Sequence, residues 1–277
     1  MTAHIESGIQ LLARLTSNCR KPLEGLDTRL FPEGLQAKQT VEIFGDPGSG
    51  KTLLLTQLIA TCILPSEYNK IAINGFDMNI LLINTDHHFQ VSKLSQIMHN
   101  ILKKSFINQL DLEDPEVVKE IIEKSLKNLL VVNCFDNKQF MCTLYTLSDV
   151  LNSNSKIGIV AIDGIPAFYW QDREAGKKDL VSMNYYVSDT LNQIQKSTFQ
   201  FNVKIIYTRH AEFVTKGQNI SECVLQPTLG EVNHRLNLFK EMDSTRGVCK
   251  VESILGPRSF DYETTALGLK WIEAHDN

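Results

Sequence analysis

The chain has 277 residues, of which 43% are hydrophobic and 22% are charged, and its formal net charge is −4. This composition is ordinary for a globular protein, and the acidic balance disfavours an independent nucleic-acid-binding module, which usually carries a basic face. The six cysteines are scattered without a C-x-x-C pair, which disfavours both a disulfide scaffold and a zinc site.

The sequence of the N-terminal region, residues 1–35, predicts little regular structure. One short helix is expected at residues 5–15, and prolines and glycines then interrupt the chain twice. We therefore expect residues 1–35 to form a short segment without a separate domain, and residues 36–277 to form one core.

The most informative stretch is Gly-Asp-Pro-Gly-Ser-Gly-Lys-Thr, which fits the pattern G-x-x-x-x-G-K-[ST] without a mismatch. In this pattern glycines let the backbone wrap around phosphate oxygens, the lysine reaches the β- and γ-phosphates, and the final hydroxyl holds Mg²⁺. A buried strand is predicted before the stretch, at residues 41–44, and an apolar helix after it, at residues 52–64. The alternative is a glycine-rich turn that binds nothing. The expected nucleotide-binding residues are Gly45, Asp46, Pro47, Gly48, Ser49, Gly50, Lys51 and Thr52.

Predicted strands and helices alternate along the rest of the chain. A small hairpin is expected around Asn74-Gly75, and Asn137 is expected to cap a helix. The alternation predicts an α/β fold with a mostly parallel sheet and helices on both faces, while the strand-rich end predicts an antiparallel C-terminal extension. Buried strands are expected at residues 80–83, 129–132, 157–162 and 203–207. Helices are expected to start near residues 91, 115, 137 and 179, and three closing strands are expected at residues 235–239, 250–255 and 267–272.

Two aspartates follow predicted strands and are candidates for the chemistry of a bound triphosphate. Asp163 ends the strand at residues 157–162 and would join Thr52 in holding Mg²⁺; the alternative is an aspartate that caps a turn. Asp86 follows the strand at residues 80–83 and is the best-placed carboxylate to position an attacking water. Ligands gather at the carboxyl ends of strands in open α/β sheets.

An aromatic run, Phe168-Tyr-Trp170, is followed by basic residues. Aromatic rings interleaved with basic side chains can stack bases and hold phosphates, although such rings more often cover the edge of a core. The candidate DNA contacts here are Arg173, Lys177 and Lys178.

The order of these features resembles the RecA-type recombinase family over residues 11–272. The resemblance is carried by the P-loop, by Ile83-Asn-Thr-Asp86, by Ile159-Val-Ala-Ile-Asp163 and by Arg235-Leu-Asn-Leu-Phe-Lys240. It implies a RecA-like P-loop NTPase core with ATP and Mg²⁺ as cofactors. Shorter motifs, at residues 62–65, 85–89 and 167–173, are similar to a paralogue of the eukaryotic strand-exchange recombinase, which implies a nuclear role in homologous-recombination repair.

Several departures from the family pattern bear on activity. We find neither the helical N-terminal DNA-binding domain nor a Phe-x-x-Ala linker, so we expect no filament. Asp86 stands where the family has a catalytic glutamate and is one methylene shorter; a misplacement near 1 Å can cost about 10²-fold. His210 stands where the family has a glutamine that senses the γ-phosphate. The resemblance therefore implies at most a weak ATPase.

The resemblance also implies a partner site. In the family, the linker of a neighbouring subunit adds a strand beside the one that matches residues 129–134, and a phenylalanine of that linker enters a pocket behind the strand. The alternative is that the matching positions in this chain are ordinary core residues. The matching pocket positions are Leu130, Val132, Thr143, Leu147 and Val150. The expected partners are other recombinase paralogues in a hetero-oligomeric complex, and DNA, single-stranded or branched, mainly through that complex. No membrane partner is expected.

Three other functions are weighed against this one. An autonomous DNA-dependent ATPase or recombinase would hydrolyse ATP in response to single-stranded DNA and form filaments. A metabolic P-loop kinase would need an acceptor site and an arginine-rich lid, for which residues 211–235 offer little. A nucleotide-free scaffold would keep the loop only for packing.

Overall fold

The computed structural model describes residues 7–9, 22–106, 115–174, 183–210, 232–241 and 243–272. Within these residues, no helix combines the length and the apolar character needed to cross a bilayer. The α-helices are α1 (Lys51–Ile63), α2 (Val91–Phe106), α3 (Pro115–Leu126), α4 (Asn137–Ser153), α5 (Tyr169–Glu174) and α6 (Met183–Thr198). The strands are β1 (Thr40–Gly45), β2 (Glu67–Tyr68), β3 (Ile71–Ala72), β4 (Asn79–Asn84), β5 (Leu129–Asn133), β6 (Ile157–Asp163), β7 (Lys204–His210), β8 (His234–Lys240), β9 (Arg246–Ser253), β10 (Arg258–Thr265) and β11 (Gly268–Trp271).

One nine-stranded sheet organises the described residues, in the order β11-β10-β9-β8-β1-β7-β6-β4-β5. The strands from β8 to β5 run parallel to their neighbours. Strands β9, β10 and β11 extend the sheet in antiparallel fashion. This confirms the predicted fold class, an α/β RecA-like core with an antiparallel C-terminal extension.

Helices cover both faces of the sheet and create two apolar cores. The first core packs residues of α1, α2 and α3 against one face, and the second packs α4 and α6 against the other. Strand β6 lies between them, and every one of its residues is buried. This explains why the strand is a continuous apolar run rather than an alternating one.

The strand at residues 129–132 was predicted to be buried, and that prediction is wrong. Among the described residues, strand β5 pairs with β4 alone and lies at the edge of the sheet. Leu130 is 37% exposed and Val131 is 38% exposed. An apolar run reads the same in a central strand and in an edge strand, since only the pairing order distinguishes them.

Three local predictions also differ from the structure. The small hairpin turns at Asn69-Lys70, both with positive φ, rather than at Asn74-Gly75. The N-cap of α4 is Asp136, whose carboxylate accepts a hydrogen bond from the backbone amide of Gln139. Among the described residues, four strands close the chain from β8 onward, where three were predicted. The strand that was missed is β10, which follows a Gly-Pro pair and alternates in burial from Arg258 to Tyr262, as a half-covered strand does.

The segment before β1 packs onto the core. Leu23 and Leu35 form an antiparallel bridge and are both buried. The guanidinium of Arg258 donates to the carbonyl oxygen of Arg29 at 2.9 Å. The indole Nε1 of Trp271 donates to a carboxylate oxygen of Asp27 at 2.7 Å. The helix predicted at residues 5–15 lies almost wholly outside the described residues.

His234, at the start of β8, gives a testable pH dependence. Its ring packs edge-on against Phe31 at 5.1 Å. Burial, with a smaller effect from the nearby Arg258, lowers the pKa of His234 from 6.5 to about 4. Between these pH values His234 is protonated in the unfolded chain but remains neutral in the folded chain. Its contribution to the free energy of unfolding is therefore complete above pH 6.5 and is lost as the pH falls toward 4.

We expect the pH-dependent contribution of His234 to the free energy of unfolding to reach about 2 kcal/mol after allowance for partial solvent screening. Urea unfolding of the wild type and His234→Gln at several pH values measures it. The wild type should lose more stability than the variant between pH 6.5 and 4. If the unfolding free energies of the two proteins changed with pH in parallel, the assignment to His234 would be contradicted. His99→Gln is the control, because it makes the same chemical change at an exposed position of α2.

Candidate nucleotide-binding site

The P-loop motif connects β1 to α1, as its sequence predicts, and its glycines are required by close contacts. A Cβ atom on Gly45 would lie 2.3 Å from the carbonyl oxygen of Leu238 in the adjacent β8. Gly50 has φ of 103°, in the left-handed region that disfavours a side chain. The first glycine therefore allows the neighbouring strand to approach, and the later one allows the turn into the helix.

Lys51 lies inside the loop. Its side chain is almost fully buried, and its Nζ donates to the carbonyl oxygens of Gly45 at 2.9 Å and Asp46 at 2.8 Å. The ammonium group is thus held among the backbone groups that would surround a phosphate. A phosphate entering the loop would take over hydrogen bonds that Lys51 now makes to these carbonyls.

The loop has features that fit the phosphates of a nucleotide. The hydroxyl oxygen of Ser49 is buried and has no hydrogen-bond partner among the described residues. No described side chain caps the N-terminus of α1, so its first amides can bind an anion. Within the part of the chain that the structure describes, nothing lies within 4 Å of a Cβ atom built on Gly48. A triphosphate would satisfy the first two groups and would use the space at the third.

The structure brings together the two residues predicted to hold Mg²⁺. The hydroxyl of Thr52 donates to the carboxylate of Asp163, 3.0 Å from each oxygen, across 111 residues of sequence. Thr208 also donates to Asp163, at 2.8 Å. Among the described residues no group of three His, Cys, Asp or Glu side chains is placed to hold a metal. Magnesium needs no such group, because phosphate oxygens and waters usually complete its coordination.

The environment of Asp163 is suited to a cation. Burial raises the pKa of Asp163, while hydrogen bonds from Thr208 and Thr52 act in the opposite direction and the charge of Asp86 adds to the increase. A buried carboxylate of this kind gains most from a neighbouring positive charge. Mg²⁺ beside Asp163 would supply that charge.

Asp86 and His210, which depart from the family pattern, face each other at the same end of the sheet. A carboxylate oxygen of Asp86 lies 3.5 Å from Nε2 of His210. The backbone amide of Asp86 donates to the carbonyl oxygen of Asp163 at 3.1 Å. A Cβ atom on Gly164 would lie 2.3 Å from the carboxyl carbon of Asp86, so this carboxylate rests against glycine backbone. The pairing of the two substituted positions was not predicted from the sequence.

A buried ion cluster connects β1, β7 and β8, and it was not predicted from the sequence. Glu42 of β1 is fully buried and forms ion pairs with Arg209 of β7 and Arg235 of β8. The hydroxyl of Tyr207 donates to the same carboxylate at 2.8 Å. The cluster joins the strand that carries the P-loop to its two neighbours. A charged residue within an apolar strand was the signal that could have revealed it.

The candidate partner positions line one side of the edge strand β5. Leu130 is exposed, and three positions are half-buried: Val132, Thr143 and Val150. Leu147 is fully buried in the core with Leu144 and Phe140. Among the described residues, the outer edge of β5 and the exposed Leu130 are therefore accessible, whereas Leu147 can contribute only from the core side of the pocket.

The candidate DNA positions are only partly described. Arg173 is exposed, and its guanidinium lies 5.2 Å from the ring centre of Trp170, which is 46% exposed. Lys177 and Lys178 lie outside the described residues.

The chain is similar in sequence to several known DNA repair proteins. The protein named DNA repair protein XRCC2 from Mus musculus is 25% identical over 240 residues, covering 85% of this chain and 79% of that protein. DNA repair protein XRCC2 homolog from Arabidopsis thaliana is 27% identical over 204 residues, covering 63% of this chain and 55% of that protein. DNA repair protein RAD51 homolog 3 from Cricetulus griseus is 24% identical over 202 residues, covering 72% of this chain and 52% of that protein.

The family description Rad51 matches residues 16–254, which is most of the chain. The matched span contains the P-loop and Asp163, and it includes the sheet from β1 to β9. The chain belongs to the Rad51 family.

Proposed function

We propose that this protein is an ATP-binding subunit of a hetero-oligomeric complex of recombinase paralogues. It acts in the nucleus, in the repair of DNA double-strand breaks by homologous recombination. The observation that carries the proposal is the contact between Thr52 and Asp163 beside a well-formed P-loop. That contact joins the two residue types that hold Mg²⁺ in nucleotide-binding proteins of this class.

ATP turnover by the isolated chain is expected to be slow. The side chain of Asp86 is one methylene shorter than that of a glutamate, and its carboxylate lies against Gly164 and faces His210. This arrangement supports binding better than it supports the positioning of an attacking water. In this family the nucleotide lies between subunits, so a neighbour would complete the site, and DNA contacts would be made mainly through the complex.

An end position in the complex is supported by two features of the fold. The described segment at residues 22–35 packs against its own core, through contacts that include Asp27 with Trp271, so it is not free to pair with a neighbour. At the other side, β5 has one edge that no described strand pairs with, and this edge can receive a neighbour. Added strands gain affinity from backbone hydrogen bonds and specificity from side-chain pockets.

The partner site can be tested with two equivalent substitutions. Leu130 and Val131 are adjacent and almost equally exposed, at 37% and 38%, but successive strand residues face opposite sides of a sheet. The proposed pocket lies on the side of Leu130. We expect Leu130→Asp to weaken capture of the partner paralogue by at least about tenfold, because an aspartate would be buried without a partner.

Val131→Asp is the matched control and should bind nearly as the wild type does. The measurement is co-purification of the two paralogues, quantified by a binding titration, after circular dichroism has established that both variants are folded. Equal loss in both variants, or no loss in Leu130→Asp, would count against the pocket.

One observation favours a second candidate, a nucleotide-free scaffold subunit. Lys51 hydrogen-bonds to carbonyls of its own loop, which is a self-sufficient arrangement. Calorimetric titration with Mg·ATP separates the two functions, because a scaffold would give no saturable heat.

A further inference from the structure

We propose that the C-terminal hairpin formed by β10 and β11 positions the nucleotide loop, and that Tyr262 is its principal positioning residue. The inference deepens the proposed function and rests on it only for the nucleotide. The contact between the hairpin and the loop is a property of the chain itself, and it can be measured without any nucleotide.

The central contact is a hydrogen bond from Tyr262 to the loop backbone. Tyr262 is fully buried, and its hydroxyl donates to the carbonyl oxygen of Ser49 at 2.7 Å. A second acceptor, the carbonyl oxygen of Phe239, lies at 3.5 Å. A phenol has one proton to donate, so the shorter contact is the dominant one. Burial raises the pKa of Tyr262, so the hydroxyl keeps its proton and remains a donor at neutral pH.

Further contacts connect the hairpin to the loop, to the middle of α1 and to α2. A Cβ atom on Gly50 would lie 3.4 Å from the side chain of Thr264 and 3.5 Å from that of Leu269, so side chains from both strands of the hairpin lie close to the loop. The backbone amide of Leu269 donates to the side-chain oxygen of Gln57 in α1 at 2.8 Å. Lys93 of α2 donates to the carbonyl oxygen of Ala266 at the hairpin turn, at 2.9 Å.

The hydrogen bond to Ser49 has a consequence for phosphate binding. The carbonyl of Ser49 and the amide of Gly50 belong to one peptide unit, and no cis peptide bond occurs among the described residues. In a planar trans peptide the C=O and N–H bonds point in opposite directions. By holding the carbonyl toward the hairpin, Tyr262 therefore aims the Gly50 amide away from it. Amides fixed in this way are the donors that a P-loop presents to phosphate oxygens.

The hairpin therefore does more than extend the sheet. It fixes in advance the direction of a loop amide that would otherwise have to be ordered when a nucleotide binds. A loop that is ordered beforehand binds more tightly because less conformational freedom is lost on binding.

The test compares two buried tyrosine hydroxyls. Tyr262→Phe removes the donor to Ser49, and Tyr207→Phe removes the donor to Glu42, which is equally buried but does not contact the loop. Hydrogen exchange of the loop peptide at residues 45–52 is measured in the nucleotide-free full chain, and Mg·ATP affinity is measured by calorimetry. Gln57→Ala, which releases the β11 contact to α1, is a second and independent variant.

We expect Tyr262→Phe to speed loop exchange and to weaken Mg·ATP binding by about three- to tenfold each, the range of one hydrogen bond of this kind. Gln57→Ala should act in the same direction with a smaller effect. Tyr207→Phe should change neither quantity by more than about twofold, even where it lowers the melting temperature.

Unchanged loop exchange in both Tyr262→Phe and Gln57→Ala would overturn the inference, as would equal changes in Tyr262→Phe and Tyr207→Phe. If the wild type binds no Mg·ATP, the proposed function fails. Loop exchange then still decides whether the hairpin orders the loop.

Discussion

Replacing Lys51 with alanine is expected to weaken Mg·ATP binding by about a hundredfold. The ammonium group lies within the loop, where it donates to the carbonyl oxygens of Gly45 and Asp46. With a triphosphate bound it would donate to phosphate oxygens instead. Charge-assisted hydrogen bonds contribute about 1.5–3 kcal/mol, and the upper part of that range corresponds to a factor of about a hundred.

The control for this variant is the same chemical change at Lys104, on the exposed side of α2. Isothermal titration of both variants with Mg·ATP, with circular dichroism as a check on folding, provides the comparison. Lys104→Ala should bind as the wild type does. Affinity of Lys51→Ala within about threefold of the wild type would show that the lysine makes no contact with phosphate.

Replacing Glu42 with alanine is expected to cause the largest loss of stability. Its carboxylate is fully buried between Arg209 and Arg235, and it accepts a hydrogen bond from Tyr207. Removing it takes away the buried carboxylate that Arg209 and Arg235 share, and leaves Glu252 as a more distant acidic group acting on Arg235. Breaking a buried ion pair by deleting one partner costs about 3–5 kcal/mol, because the remaining charge is left uncompensated. Urea unfolding monitored by circular dichroism measures the loss.

An exposed ion pair in the same chain provides the control. Glu120 and Lys124 lie one turn apart on α3, and their side chains are 54% and 65% exposed. Solvent screens exposed helical pairs, so Glu120→Ala should change stability very little. If Glu42→Ala cost no more than Glu120→Ala, the buried cluster would not hold the three strands together.

The features that the sequence predicted well are those encoded by neighbouring residues. The P-loop is eight consecutive residues with fixed roles, and the strand and helix that flank it follow from short apolar runs. The approach of Thr52 to Asp163 was also predictable. Asp163 ends one strand of a parallel sheet, the P-loop follows another, and the carboxyl ends of such strands meet at one edge. The alternation of strands and helices was sufficient to establish the fold class.

The features that were missed depend on which strands become neighbours. The exposure of Leu130 follows from the position of β5 at the end of the sheet, which local periodicity does not specify. The Glu42 cluster requires β7 and β8 to flank β1. The contact of Tyr262 with the loop requires β10, whose alternating pattern was overlooked between two predicted strands. In each case the neighbouring strand lies far away in sequence, so no short motif identifies it. For Glu42, the charge within an apolar strand indicated that a partner was needed but not which one.

The measurement that tests the central claim most directly is a calorimetric titration of the full chain with ATP, in the presence of Mg²⁺ and again in excess EDTA. The proximity of Thr52, Asp163 and the P-loop leads us to expect saturable binding at one site per chain, weakened by at least about tenfold when Mg²⁺ is removed. Absence of saturable binding, or binding that does not respond to Mg²⁺, would contradict the assignment of this loop and this carboxylate to a nucleotide.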